Sequence, residues 1–182
     1  MVKSLERAGM KRIEKPEAVE YAPYADRYIG LLPDDGLVLK HLKENLKATR
    51  DFILSLSKEK LNFRYAEGKW TIKEILVHLS DDERIYAYRA LRFARNDRTV
   101  LPGFEQDKFA LYSSANSRGV RDILEEFATV RKATLSLFKS LDDEALMRTG
   151  IADGNRVSVR ALAYHIAGHE LRHVRLIKER YL

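Results

Sequence analysis

The 182-residue chain is expected to fold as an all-α four-helix bundle. Three observations predict this. Four long stretches carry apolar residues at spacings of three and four, the period of a helix with one buried face. No series of alternating strand-like segments competes with them. The links between helices one and two and between three and four are shorter than residues 96–116, which join two and three. Antiparallel neighbours need only about 2–8 residues between them, so the longer connection suits a crossover joining two parallel helices. The expected order is up-down-down-up.

Residues 1–33 read as an N-terminal arm, and residues 34–182 as the bundle. Pro16, Pro23 and Pro33 punctuate the arm, and Tyr21, Tyr24 and Tyr28 predict that it packs on the domain. Asp34 or Asp35 can cap the first helix, expected over 34–57, with Leu39, Leu42, Leu46, Thr49, Ile53 and Leu56 inward. His41 falls among lysines, off that stripe, and is expected to be exposed.

Thr71-Ile72-Lys73-Glu74 is a capping box that starts the second helix, expected over 71–95, with Trp70 stapling its entry. Ile72, Ile75, Leu76, Leu79, Tyr86, Ala90 and Phe93 face inward. Leu101-Pro102-Gly103-Phe104 is a turn in the long link. The third helix is expected over 117–141, with Val120, Leu124, Phe127, Val130, Thr134, Leu137 and Leu141 inward. Asp142-Asp143-Glu144 begins a short turn, and residues 151–157 read as a tight turn or small hairpin. Ser158 can cap the last helix, expected over 158–180.

Composition narrows the chemistry. There are no cysteines, so disulfides, thiolate metal sites and a protein thiol nucleophile are excluded. Any metal must be held by histidine and carboxylate. No apolar run approaches the roughly 18 residues of a membrane span, and no signal-peptide core opens the chain, so a cytoplasmic location is expected. The net charge of +6 is a mild excess. Arg84, Arg89, Arg92, Arg95 and Arg98 make the end of the second helix basic, but no nucleic-acid docking motif accompanies them. These arginines read either as an ion-paired surface or as a means to recognise a carboxylate-bearing small molecule.

The last helix carries the chemistry. Leu162, Ile166, His169, His173 and Ile177 share one stripe, so two imidazoles stand where leucines would be expected. At i and i+4 they are stacked neighbours, roughly 5–6 Å apart at Cβ, and can reach one ion. The string His169-Glu170-Leu171-Arg172-His173 also fits the H-E-x-x-H pattern of zinc peptidases, with Glu170 as general base. The context does not: a metzincin needs glycine and histidine where Leu176 and Glu179 stand. A third ligand is therefore expected upstream, and His78, at the edge of the second helix's apolar arc, is the inward candidate. Asp82, one turn further on, and its neighbour Glu83 can orient that ring or ligate directly. His165 lies one turn before His169, but its phase aligns with Ala161, Gly168, Arg172 and Arg175, a small and polar flank. It is expected to stay outside the ligand set.

Several motifs in this order resemble the DinB/YfiT-like superfamily. They are Trp70 to Glu74 followed by His78-Leu79, the run Tyr86 to Arg95, Leu101 to Phe104, Ala161 to Tyr164, and Gly168 to His173. The likeness spans about residues 34–182. It implies an up-down-down-up bundle in which His78, His169 and His173 bind a divalent ion, usually zinc or nickel. Relatives often pair as homodimers. Arg172 stands where many relatives have another histidine, and with Arg89 it is a candidate to meet a cofactor or substrate. Characterised members include transferases that use low-molecular-weight thiols such as bacillithiol. The leading expectation is therefore a transferase that activates such a thiol on the metal for attack on an electrophilic small molecule. The alternatives are a metal-dependent hydrolase, in which Asp82, Glu83 or Glu170 manages protons, and a non-catalytic metal-binding stress module.

Overall fold

A computed structural model describes residues 11–182, so the first ten residues of the expected arm lie outside the described residues. The helices are α1 (Asp26–Ile29), α2 (Val38–Leu54), α3 (Lys58–Leu61), α4 (Ile72–Ala94), α5 (Gln106–Tyr112), α6 (Val120–Ser140), α7 (Asp143–Met147) and α8 (Val159–Arg180). A two-stranded antiparallel ribbon, β1 (Thr149–Ala152) with β2 (Asn155–Ser158), precedes α8.

The four long helices are α2, α4, α6 and α8, and side-chain contacts set their directions. Asn45 reaches Ala167 and Thr49 reaches Glu170, so α2 and α8 run parallel. His78 meets His169 while Tyr86 stacks on His165, so α4 runs antiparallel to α8. Asn116, just before α6, meets Glu74, and Arg131 within α6 meets Glu83, so α4 and α6 run parallel. The order is up-down-down-up, and the 96–116 link is the crossover between the parallel pair. That link is more structured than expected. It contains α5, and its Leu101 bridges to Ala152 beside the ribbon.

Local signals account for the helix ends. Thr71 Oγ1 accepts from Glu74 N at 3.1 Å while the Glu74 carboxylate accepts from Thr71 N at 2.7 Å, the expected capping box. Thr71→Ala is expected to cost about 0.5–2 kcal/mol. An unchanged melting temperature would argue that this box does not hold the start of α4. Ser158 caps α8 by accepting from Ala161 N. The ribbon turns through Asp153 and Gly154, both at positive φ (51° and 71°), as a two-residue hairpin matched to strand twist requires. The start of α2 differs from expectation. Neither Asp34 nor Asp35 is its N-cap, which is Leu37. Asp35 instead accepts from Leu37 N and pairs with His41, which is half-buried rather than exposed.

The core divides in two. One apolar cluster holds Leu39, Leu42, Phe93, Phe138, Leu162 and Ile166, and the other holds Ile53, Ile72, Leu76, Phe127 and Ile177. Each fully buried side chain of this kind contributes about 1.5–3 kcal/mol. Between the clusters each long helix contributes buried polar residues: Thr49, Glu83, Arg131 and Glu170 among them. This polar waist crosses the bundle at the level of the histidines.

Residues 11–33 pack on α8 and on the start of α2. Ile13 bridges to Leu37, Tyr164 Oη donates to Ile13 O at 2.8 Å, and Arg160 Nε donates to Glu20 Oε2 at 2.8 Å. Ala25, Ile29 and Leu32 are buried. This changes the character of one flank of α8. Ala161, His165 and Gly168, on the small and polar flank, are buried beneath the arm. A Cβ at Gly168 would overlap the Tyr28 backbone carbonyl. The rigid partner cannot yield as a side-chain tip would, so Gly168→Ala is expected to lose about 1–3 kcal/mol. Hydrogen exchange should quicken over residues 21–32. Unchanged melting and exchange would mean that the arm is not seated on Gly168.

Candidate metal centre

The antiparallel contact of α4 with α8 sets His78, in the second turn of α4, against His169 and His173 on successive turns of α8. His169 Nε2 lies 3.2 Å from His78 Nε2 and 3.0 Å from His173 Nε2. The first two rings are buried and the third is half-buried. Trp70 does more than mark the entry of α4, because its ring stands 4.7 Å from that of His78 and walls one side of the group.

The donor set fits a cation. Burial pushes His78 down to about 4 and His173 to about 3, and holds His169 well below its usual range. All three imidazoles are therefore neutral at pH 7 and offer lone pairs. A neutral ring nitrogen is either one donor or one acceptor, so His169 Nε2 cannot satisfy both neighbours. The Nδ1 atoms of His78 and His173 are buried without a protein partner. One cation among the three Nε2 atoms would take all three lone pairs. Nitrogens bound tetrahedrally at about 2.0–2.1 Å stand roughly 3.3 Å apart, close to the separations seen here.

Asp82, one turn after His78, places Oδ2 3.2 Å from His169 Nδ1 and 3.7 Å from His165 Nε2. Once a cation in the trio favoured its ionised form, this carboxyl would favour Nδ1–H on His169 and leave the Nε2 lone pair for the ion. Burial pushes the Asp82 carboxyl up to about 8, with Arg89 opposing. His165 lies outside the trio. Its ring stacks flat on Tyr86 at 3.9 Å.

The other expected site residues are placed differently. Glu83 and Glu170 were expected to manage protons at the metal, but the structure engages both with Arg131. Its guanidinium donates to Glu83 at 2.8 Å and lies 2.9 Å from Glu170, which also accepts from Thr49. All three side chains are 1% exposed, so the cluster is closed off from solvent. Arg89 donates to Pro102 O and lies over the Tyr86 ring, on the Asp82 side of the centre. Arg172 is exposed and borders neither of the cavities beside the histidines.

Those two cavities flank the centre. The larger, about 660 Å³, is bordered by His173, Trp70, Tyr65 and Tyr181, and by the cations Arg27, Arg64 and Lys69. The smaller, about 350 Å³, is bordered by Asp82, Arg89, His165 and His169. Arg27 and Tyr28 border both. Periodicity could not assign these arm residues to the site, because the arm has no sustained period. The tyrosine cluster was the one signal that it meets the domain.

Comparison with known proteins agrees with this architecture. The family profile described as the DinB superfamily matches residues 41–177. A protein of Oceanobacillus iheyensis named "Putative metal-dependent hydrolase" is 27% identical over 142 residues, covering 77% of this chain and 81% of that protein. A Geobacillus thermodenitrificans protein of the same name is 29% identical over 96 residues, covering 52% and 54%. The structure of YfiT from Bacillus subtilis superposes with a TM-score of 0.62 at 15% identity, covering 91% of this chain and 92% of that one. It is described as a probable metal-dependent hydrolase with an unusual four-helix bundle topology, and at this identity the likeness shows the fold. No helix among the described residues is long and apolar enough to cross a membrane.

Proposed function

The chain belongs to the DinB superfamily, and from that premise we propose that it is a metal-dependent enzyme acting on a small molecule, with hydrolysis as its leading reaction. The observation that carries this reading is the convergence of His78, His169 and His173 through their Nε2 atoms, whose lone pairs the three neutral rings cannot satisfy among themselves. The names of the two sequence relatives support hydrolysis over the other chemistries. Zinc or nickel is the expected ion, since imidazole donors suit both. A divalent ion held there supplies Lewis-acid activation and lowers the pKa of a bound water or thiol.

The chain's own residues do the rest. Asp82 orients His169 and stands ready to hold or pass a proton at Oδ2. Trp70 and Tyr28 shield the rings from bulk water, His78 from one side and His169 from the other. The cavity beside His173 admits the substrate to the uncovered side of the trio. Glu83 and Glu170 hold the helices in place through Arg131 and take no part in proton transfer.

Transfer of a low-molecular-weight thiol to an electrophile is the second reading. The observation in its favour is the cavity of about 660 Å³, in the range of drug-sized ligand sites and roomy enough for a small thiol beside an acceptor. Metal-loaded protein would be assayed against ester and amide panels, and separately with a thiol plus a chlorinated aromatic electrophile. Turnover without thiol supports hydrolysis, and turnover only with thiol supports transfer. A protein with bound metal and neither activity would be a metal-binding module.

A further inference from the structure

Building on the metal-centre reading above, we propose that Arg27 is the anchor for a carboxylate on the substrate, which makes the N-terminal arm part of the active site. The backbone places it there. Tyr28, the next residue, presents its ring edge-on to His165 at 4.9 Å and to His169 at 5.3 Å. The Arg27 guanidinium lies 4.9 Å above that ring and 5.8 Å from Tyr24. It is thus held at the mouth of the centre by aromatic faces, and it borders both cavities.

Of the cations bordering the larger cavity, Arg27 and Lys69 form no ion pair among the described residues, and of these two only Arg27 borders the smaller cavity as well. Arg64 pairs with Glu74 at 2.9 Å, Arg89 donates to Pro102 O, and Arg131 is enclosed by two carboxylates. Arg27 forms no ion pair among the described residues. The carboxylates near the mouth do not fill this role. Glu74 is held by Arg64 and Asn116, Asp82 is buried against the histidines, and Asp107 borders the same cavities without pairing with Arg27.

The arm is also preorganised. Its backbone is seated against Gly168, Ala25 and Ile29 are buried, and Glu20 pairs with Arg160. Only the Arg27 side chain has to be ordered on binding, which keeps the entropic cost small. A guanidinium fork matches a carboxylate through two parallel hydrogen bonds. Tyr65, Trp70 and Tyr181 wall the larger cavity, so the body attached to that carboxylate is aromatic or apolar. The substrate class that follows is a small aryl or alkyl carboxylate, its anionic end on Arg27 and its reacting group towards His78, His169 and His173.

Benzoate, phenyl phosphate and benzamide would be titrated calorimetrically into the full-length zinc-loaded protein, into Arg27→Gln and Arg27→Lys, and into Arg121→Gln, an exposed arginine on α6, as a charge control. Benzoate affinity should fall at least tenfold in Arg27→Gln, be partly kept in Arg27→Lys and be unchanged in Arg121→Gln. Benzamide binding should be equal in all four. Equal benzoate affinity in wild type and Arg27→Gln, or no benzoate binding by wild type, would overturn the proposal. Tighter binding of phenyl phosphate than of benzoate would overturn the assignment to carboxylates. Zinc per chain, measured on the same samples, reads the metal centre separately. A wild-type protein without zinc that still loses benzoate affinity on Arg27→Gln would sink the metal reading and leave the anchor standing.

Discussion

Arg131→Met is expected to destabilise the protein by about 3–5 kcal/mol, the cost of leaving buried charges without their partner. This guanidinium is 1% exposed and touches all four long helices. It donates to Leu42 O of α2 and to Glu83 of α4, it sits on α6, and it pairs with Glu170 of α8. Methionine fills much of its volume but cannot donate, so two carboxylates that are also 1% exposed lose their counter-charge. The pair of changes Glu83→Gln and Glu170→Gln should recover part of the loss, because a neutral amide costs far less to bury than an unpaired carboxylate.

The loss should depend on pH. Burial already pushes Glu170 upwards, with Arg131 opposing. Removing that opposition raises the folded-state value further above the unfolded one, so the folded variant holds a proton that the unfolded chain releases. Its deficit is then smallest near pH 4.5 and grows as pH rises towards the raised value. Chemical denaturation of wild type and variant at pH 5 and pH 7.5 measures it. A deficit below about 1 kcal/mol, or one that shrinks as pH rises, would mean that the cluster is hydrated or rearranged in solution.

His169→Ala is expected to abolish stoichiometric metal binding. His169 Nε2 is the hub of the trio, within 3.2 Å of both partners, and its Nδ1 lies 3.2 Å from Asp82 Oδ2. His173→Ala should nearly abolish binding, leaving one ring from each helix. His165→Ala should leave it intact, since that ring stacks on Tyr86 and lies outside the convergent set. Elemental analysis after purification without added metal reads the stoichiometry. Melting gives an independent readout: a ligand at 1,000 times its Kd stabilises by about 4.1 kcal/mol, so a chelator should lower the melting temperature of wild type and leave His169→Ala unmoved. If His165→Ala strips the ion while His173→Ala retains it, this assignment is wrong.

The bundle and the face that carries His169 and His173 were legible because both are periodic. A helix repeats every 3.6 residues, so apolar residues at three and four mark the buried stripe, and an imidazole inside that stripe stands out. His169 and His173 followed from such local phase, as did the cap at Thr71 and the hairpin before α8. The long link indicated parallel helices because chain length bounds what a connection can span. Reading the carboxylates went less far. Glu170 follows His169 and Glu83 lies five residues after His78, yet a helix turns successive side chains by about 100°, and only the partner helices decide what each one meets. α6 supplied Arg131, and that partner made the two acids structural.

The sequence by itself determined the helices, their order and the inward phase of His169 and His173, because each is encoded by spacing within one segment or by the length of a link. Tertiary structure alone decided what surrounds them. The arm has no helical period, so nothing local predicts that Gly168 receives the Tyr28 backbone, or that Arg27 comes to stand over Tyr28 beside His169. The same packing buried His165 on a flank whose neighbours are small or polar. Spacing reports how residues of one element face a common side. Which other element covers that side is a matter of non-local packing, where surface complementarity and charge pairing between distant segments choose the partner.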